Sequence, residues 1–138
     1  ANPQMLTLAL SVWQASLMTG MPEARILLSE AVIAIATSPK SNRAYRAIDK
    51  ALSDVEKGDT GTIPFHIRNA PAEGMKDLGY GEGYLYDHDF PKAIAPQTFL
   101  PEKMQDAVYY EPTDHGYEER IAQWMETVKK LRGLKNGY

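Results

Sequence analysis

Residues 61–101 read GTIPFHIRNAPAEGMKDLGYGEGYLYDHDFPKAIAPQTFLP and lie between two regions with helical patterns. Segments of this length without regular structure are uncommon in compact domains unless they are functional or disordered. Disorder is disfavoured because the stretch is too apolar for a solvated tail. Its apolar residues include Phe65, Ile67, Tyr80, Tyr84, Leu85, Tyr86 and Phe90. We therefore expect an ordered, irregular, Gly/Pro/Tyr-rich layer over about residues 61–112 of an otherwise all-α chain.

Cap and breaker residues on both sides of this layer predict four helices. Asn2 followed by Pro3 is a typical helix start, and Gly20 favours a helix end. Ser38 followed by Pro39 repeats the start signal. The pattern predicts helices at about 3–19, 22–37, 39–57 and 114–132. Short connections between the first three predict an antiparallel, bundle-like packing, and the length predicts one domain over 1–138.

Composition excludes several functional classes. The 138 residues include no cysteine, so a disulfide framework and a cysteine-based zinc site are both excluded. The formal net charge is −3, which argues against a strongly basic nucleic-acid surface over the whole domain.

The first predicted helix is unusually apolar, since no charged residue precedes Glu23. The segment Met5–Met18 is too short for a membrane span and lacks the basic start of a signal peptide. We therefore expect no membrane association, and a helix buried in a core or against a partner subunit. One narrow polar stripe interrupts the apolar surface at Gln4, Thr7, Ser11 and Gln14. The chain starts directly on a helix cap, which we interpret as a fragment of a longer polypeptide.

Catalytic and metal-binding patterns are weak. The glycines of Gly79–Gly83 lack the spacing of phosphate-binding loops, and no GxSxG nucleophile turn occurs. The residues that could supply metal ligands are His66, His88, His115, Asp87, Asp89 and Asp114. The histidines show none of the usual ligand-pair spacings. We therefore expect no catalytic, cofactor-binding or metal-binding residue, with a small metal- or histidine-dependent enzyme as an alternative.

The third predicted helix carries a basic stripe beside an apolar face. The apolar face consists of Ala44, Ile48, Ala51, Leu52 and Val55. The stripe consists of Lys40, Arg43, Arg46 and Lys50, followed by Lys57. It could follow the phosphates of DNA, although Asp54 interrupts it and a solvated helix face is the simpler interpretation. The tyrosines could stack bases or act in packing. The alternative function is therefore a module that binds single-stranded DNA or single-stranded-DNA-binding protein.

Several motifs in a fixed order resemble one protein family. They are Ile63–Pro71, Met75–Gly81, Tyr84–Asp89, Tyr109-Tyr110 and Pro112-Thr113, preceded by Gly20–Glu23 and Ala36–Asn42. Together they resemble the C-terminal region of the replication-associated recombination protein A family. This family is also called MgsA or RarA and includes the Werner-helicase-interacting ATPases. The residues that the resemblance marks as structural are Pro64, His66, Arg68, Asn69, Pro71, Gly79, Tyr80, Gly81, Tyr84, Tyr86 and His88.

The resemblance implies a function outside the chemistry of this region. Family members are AAA+ ATPases related to clamp loaders that act at stalled or damaged replication forks. The region would be an all-α domain similar to the oligomerisation domain of clamp-loader subunits, and it would mediate homotetramer assembly. ATP and Mg²⁺ would be bound through Walker motifs that lie upstream. The expected partners are DNA and single-stranded-DNA-binding protein, in the cytoplasm with the nucleoid.

Overall fold

The fold is all-helical in the computed structural model, which describes residues 2–69, 71 and 74–134. It contains α1 (Gln4–Thr19), α2 (Ala24–Thr37), α3 (Arg43–Glu56) and α4 (Glu118–Arg132). Four short 3₁₀ helices lie between α3 and α4, at Phe65–Ile67, Asp87–Asp89, Pro91–Ala93 and Glu102–Met104. No strand occurs among the described residues, so the predicted all-α class is confirmed.

The chain divides into two compact units. The first unit contains residues 1–42 and 112–122, and the second unit contains residues 43–111 and 123–138. The expected single domain over 1–138 stays a prediction, as does the bundle-like packing of α3 with the first two helices. None of the described helices is long and apolar enough to cross a membrane.

Local hydrogen bonds explain the ends of α1. The side-chain oxygen of Asn2 accepts a hydrogen bond from the backbone N–H of Gln4 at 3.1 Å, as a cap residue should. At the other end Gly20 has a φ of 73°, and its N–H donates to the Ser16 carbonyl oxygen at 3.0 Å. Glycine adopts this left-handed conformation without steric cost, so it ends the helix.

All four helices start later than the sequence pattern predicts, α1 by a single residue. Residues 21–23 form a turn, so α2 begins at Ala24 and not at residue 22. The predicted cap Ser38 instead ends α2 with a ψ of 143°, because a residue before proline disfavours the helical conformation. As a result α3 begins at Arg43 and not at residue 39. A turn at residues 114–117 likewise delays the start of α4 to Glu118.

The helices α1 and α2 contact each other and are joined by only four residues, 20–23, as in a helical hairpin. The least exposed positions of each helix recur every three or four residues, which indicates one packed face per helix. On α1 these positions are Met5, Leu8, Val12 and Ala15, and on α2 they are Ala24, Leu27, Ala31 and Ala34. The small alanines on α2 permit close approach of the two backbones.

The predicted apolar face of α3 is largely exposed. Its residues Ile48, Leu52 and Val55 are each more than half exposed. The less exposed positions of α3 lie one step around the helix, at Arg43, Ala47, Ala51 and Asp54. The described residues therefore cover this apolar face only in part.

Candidate functional site

An uncovered apolar surface extends over α1 and α2. We call it the α1–α2 surface; it consists of Leu6, Leu10, Trp13, Leu17, Met18, Met21, Ile26, Leu28, Val32, Ile33 and Ile35. Leu6 is 82% exposed and Met18 is 89% exposed, so these side chains are almost entirely in contact with solvent. Large exposed apolar patches usually mark interaction sites on folded proteins.

The α1–α2 surface is nearly free of charge because its helices are. No acidic or basic residue occurs in α1, and α2 contains only Arg25 and Glu30. A hairpin of two such helices can bury only one face of each against the other. The remaining apolar faces therefore stay in water unless another surface covers them.

A polar cleft lies in the second unit, beside α3. We call it the α3 cleft; it has a volume of about 510 Å³ and is lined by Arg43, Arg46, Asp49, Lys50, Tyr109 and Glu111. The first four lie on α3 at three- and four-residue spacing, which places them along one side of the helix. Tyr109 and Glu111 come from the end of the irregular layer.

Tyr109 is held in the α3 cleft by a hydrogen-bond network. Its hydroxyl donates to the Asp54 carboxylate at 3.3 Å, and the Lys57 ammonium donates to the same carboxylate at 2.9 Å. Nearby, the Lys50 ammonium donates to the Val108 carbonyl oxygen and lies 6.0 Å from the centre of the Tyr109 ring. These contacts connect α3 to the irregular layer.

The same network shifts two pKa values. The hydrogen bond from Lys57 lowers the pKa of the Asp54 carboxyl, and this effect outweighs the opposing effect of desolvation. Burial raises the pKa of the Tyr109 phenol, and the negative charge of Asp54 raises it further. Tyr109 therefore stays protonated and keeps donating its hydrogen bond at neutral pH.

The predicted DNA-contact residues fall into different environments. Lys40 belongs to the first unit, where its ammonium donates to the Ile35 carbonyl oxygen. Arg43, Arg46 and Lys50 line the α3 cleft together. Lys57, the last member of the predicted basic stripe, is paired with Asp54 at 2.9 Å. A role of these residues in DNA binding stays a prediction.

Several motif residues of the irregular layer gather around Arg68. Its guanidinium lies 4.0 Å from the Phe65 ring centre and 5.2 Å from the Tyr80 ring centre. The two rings meet edge to face at 5.7 Å, and Arg68 Nε donates to the Ile63 carbonyl oxygen at 2.7 Å. The backbone N–H of Gly81 also donates to the Phe65 carbonyl oxygen. The Arg68 guanidinium thus makes cation–π contacts with both rings, and these contacts stabilise this part of the irregular layer.

A second group of contacts joins the later part of the irregular layer, residues 95–98, to its earlier part. The buried side chain of Gln97 bonds both backbone groups of Leu85: its oxygen accepts from the N–H at 3.1 Å, and its nitrogen donates to the carbonyl at 2.7 Å. His66 Nε2 donates to the Thr98 carbonyl oxygen at 2.8 Å. The Asp87 carboxylate accepts from the Ala95 N–H at 2.8 Å. Ile94 and Ala95 are buried beside this group.

The remaining motif residues are mostly exposed. Tyr84 and Tyr86 are about half exposed, and the Tyr86 ring contacts the His88 ring at 5.1 Å. Pro64 precedes the first 3₁₀ helix, Gly79 has a φ of 81°, and Asn69 and Pro71 are exposed. Across the described ranges, no three histidine, aspartate or glutamate side chains gather closely enough to hold a metal ion. The structural roles expected for the motif residues as a set stay a prediction.

A buried carboxylate organises the start of α4. Glu118 is only 5% exposed, and its Oε2 accepts hydrogen bonds from the backbone N–H and the hydroxyl of Thr113, both at 2.8 Å. Burial by itself raises the pKa of Glu118, but hydrogen bonds from Ser41 and Thr113 outweigh it, and the pKa is lowered. The Glu118 side chain thus binds Thr113, which lies five positions before the first residue of α4.

The sequence pattern did not indicate the contacts of Tyr109, Glu111 and Gln97. Glu111 and Tyr109 join the α3 cleft from about 60 positions beyond α3 along the chain, and no local pattern indicates that approach. Gln97 has no signature except its place among apolar residues.

Comparisons with known proteins place these features in context. A sequence model described as MgsA AAA+ ATPase C terminal matches residues 1–129. Replication-associated recombination protein A of Bacillus subtilis is 37% identical over 133 residues, which is 96% of this chain and 32% of that protein. The Escherichia coli protein of the same name is 34% identical over 124 residues, which is 89% of this chain and 28% of that protein.

A eukaryotic relative shows the same similarity. ATPase WRNIP1 of Dictyostelium discoideum is 33% identical over 112 residues, which is 80% of this chain and 13% of that protein. The chain therefore spans about a third or less of the length of the curated relatives it matches.

Proposed function

Because the chain belongs to the MgsA AAA+ ATPase C-terminal family, we propose that it is a homo-oligomerisation domain, assembling a tetramer. The whole protein would be a AAA+ ATPase that acts in DNA replication, recombination and repair at stalled forks, in the cytoplasm with the nucleoid. ATP and Mg²⁺ would be bound outside these 138 residues, which contain no Walker A pattern. DNA and single-stranded-DNA-binding protein would be partners of the assembled protein.

The observation that carries this proposal is the α1–α2 surface. Its large apolar side chains are exposed on a helical hairpin whose first helix carries no charge. Contact between these side chains and water is unfavourable. Each square ångström of apolar surface removed from water contributes about 25 cal/mol. Covering the surface with a second copy stabilises the assembly because the same apolar patch is present on both copies.

Closed symmetry fits such a patch. A patch that pairs with its own copy forms a two-fold interface, and a second interface of the same kind completes a tetramer. The exposed stripe of Ile48, Leu52 and Val55 on α3 is a candidate for that second interface. A specific interface usually buries roughly 800 Å² on each partner, so about 20 residues of each copy would take part in each interface.

Light scattering coupled to size-exclusion chromatography tests the proposal. The purified chain at micromolar concentration should have a mass about four times the 15.4 kDa of one chain. The double variant Leu10→Glu, Leu17→Glu places two charges on one face of α1 and should be smaller, because burying an unpaired charge is costly. Leu78→Glu is the matched control, since Leu78 is also exposed but lies in the second unit.

Two results would contradict the proposal. A single-chain mass for the unmodified protein excludes self-association by this chain. A double variant that keeps the mass of the unmodified protein, with unchanged helical circular dichroism, excludes the α1–α2 surface as the interface.

A further inference from the structure

The exposed apolar side chains of α3 have the spacing of a helix-pairing surface. We call them the α3 seam; it consists of Tyr45, Ile48, Leu52 and Val55, at intervals of three, four and three residues. Each of these side chains is more than half exposed. Apolar residues that alternate at three and four positions form the contact line between two packed helices. A second helix can therefore pack along most of α3.

The α3 seam is complementary to its own copy. Its three intervals read the same in both chain directions, so two antiparallel copies align about a two-fold axis near residue 50. Ile48 then lies beside Leu52 of the other copy, because both residues are two positions from the axis. Tyr45 lies beside Val55 of the other copy for the same reason. This reciprocity is what a two-fold interface requires.

The charges beside the α3 seam fit the same alignment. Arg46 and Glu56 lie on one side of the seam and are both exposed. Within the part of the chain that the structure describes, neither side chain makes a hydrogen bond or an ion pair. In the antiparallel pair, Arg46 of one copy lies within about 3 Å of Glu56 of the other copy along the helix axis, at about 1.5 Å per residue. Two reciprocal ion pairs therefore connect the copies.

Asp49 limits the strength of this contact. It lies on the same side of the seam and one position from the two-fold axis, so the two Asp49 carboxylates approach each other. Ser53 of the other copy offers each carboxylate a hydroxyl donor, but the like charges still repel. The α3 seam also has four apolar side chains, whereas the α1–α2 surface has eleven. We therefore expect the α3 contact to be the weaker of the two.

We propose that two copies of the chain pair through antiparallel α3 helices, with Arg46 of each copy bound to Glu56 of the other. This pairing rests on the proposed tetramer, in which it is the second two-fold interface. It joins two dimers that form through the α1–α2 surface. Breaking the α3 pair therefore leaves dimers.

Charge-swap variants test the α3 pair by light scattering coupled to size-exclusion chromatography. Arg46→Glu and Glu56→Arg each place like charges opposite one another, so each should halve the mass from four chains of 15.4 kDa to two. The double variant Arg46→Glu, Glu56→Arg restores opposite charges and should restore the four-chain mass. Within one α3 the two positions are about 15 Å apart along the axis, so this rescue cannot arise inside a single helix.

Two further variants complete the test. Lys76→Glu is the matched control, because it reverses an exposed positive charge of the second unit outside α3. It should keep the four-chain mass. Asp49→Asn removes the repulsion at the two-fold axis and should shift the dimer–tetramer transition to lower protein concentration.

Two results would overturn the α3 pair. Both single variants could keep the mass of the unmodified chain, with unchanged helical circular dichroism. Alternatively, both could lose half of the mass while the double variant fails to regain it, which would exclude the contact between Arg46 and Glu56.

The α3 pair and the α1–α2 interface fail separately. If only the α1–α2 surface is wrong, Leu10→Glu, Leu17→Glu keeps the mass of the unmodified chain, while the charge-swap variants lose and regain theirs. If only the α3 pair is wrong, Leu10→Glu, Leu17→Glu has a single-chain mass and the charge-swap variants change nothing. A single-chain mass for the unmodified protein overturns both.

Discussion

The Tyr109 hydroxyl donates a hydrogen bond to the Asp54 carboxylate, with 3.3 Å between the two oxygen atoms and 55 positions between the two residues in the chain. This bond connects the end of the irregular layer to α3. It also couples the titration of a phenol to the charge of a carboxylate, since burial and the Asp54 charge both raise the pKa of Tyr109.

Asp54→Asn should lower the pKa of Tyr109 towards its ordinary value of 10.0, because the negative charge that opposes phenolate formation is removed. The pKa should stay above 10.0, since burial, the larger cause, remains. Ultraviolet absorbance of tyrosinate during a pH titration measures this, with Tyr109→Phe subtracted to isolate one tyrosine. Asp59→Asn removes a carboxylate elsewhere in the second unit and should not move the midpoint. An equal midpoint in Asp54→Asn and the unmodified chain would refute the coupling.

Glu118→Gln should reduce the free energy of unfolding by about 1.5–3 kcal/mol at neutral pH, the range for hydrogen bonds to a charged group. The folded state lowers the pKa of Glu118, so its contribution is present above the ordinary value of 4.5 and is lost as pH falls below it. The difference between the two proteins should therefore shrink in acid.

Urea unfolding at neutral and acidic pH checks the Glu118 prediction. Glu119→Gln is the matched control, because Glu119 is the next residue of α4 and is exposed. Its effect should stay within about 0.5 kcal/mol at either pH. A Glu118→Gln effect that is the same at both values would show that the carboxylate charge does not stabilise the fold.

Gln97→Glu should destabilise the second unit by about 2 kcal/mol, because a carboxylate cannot donate to the Leu85 carbonyl oxygen and leaves that part-buried acceptor without its partner. The thermal unfolding midpoint measures the loss. Gln123→Glu makes the same chemical change at an exposed position of α4 and should be nearly neutral. Equal midpoints for the two variants would mean that the Gln97 bridge contributes little.

Helix positions were largely readable from the sequence, because caps and breakers act over a few residues. Asn2 and Gly20 mark the ends of α1 as expected. The start of α3 was placed too early, since Ser38 before Pro39 resembles a helix start but here ends the preceding helix. A serine followed by a proline can begin a helix or follow the end of one, and only the path of the backbone distinguishes these two cases.

The candidate sites were predictable only in part. The basic residues of α3 were identified from their spacing, but Tyr109 and Glu111 reach the same cleft from far along the chain. The apolar stripe on α3 was also identified, and the structure shows that it is largely exposed. Periodicity shows that a face is apolar and does not show whether this chain or another one covers it.

The sequence by itself determined the all-α class, the uncharged character of α1 and the family, because these depend on residue types and their order. Tertiary structure decided which distant groups meet, as in the bonds of Gln97 to Leu85 and of Tyr109 to Asp54. It also decided that the apolar faces of α1 and α2 remain exposed after the two helices pack. The physical reasons differ. The course of the irregular layer decides which distant groups meet, and two narrow helices can cover only a small part of each other's surface.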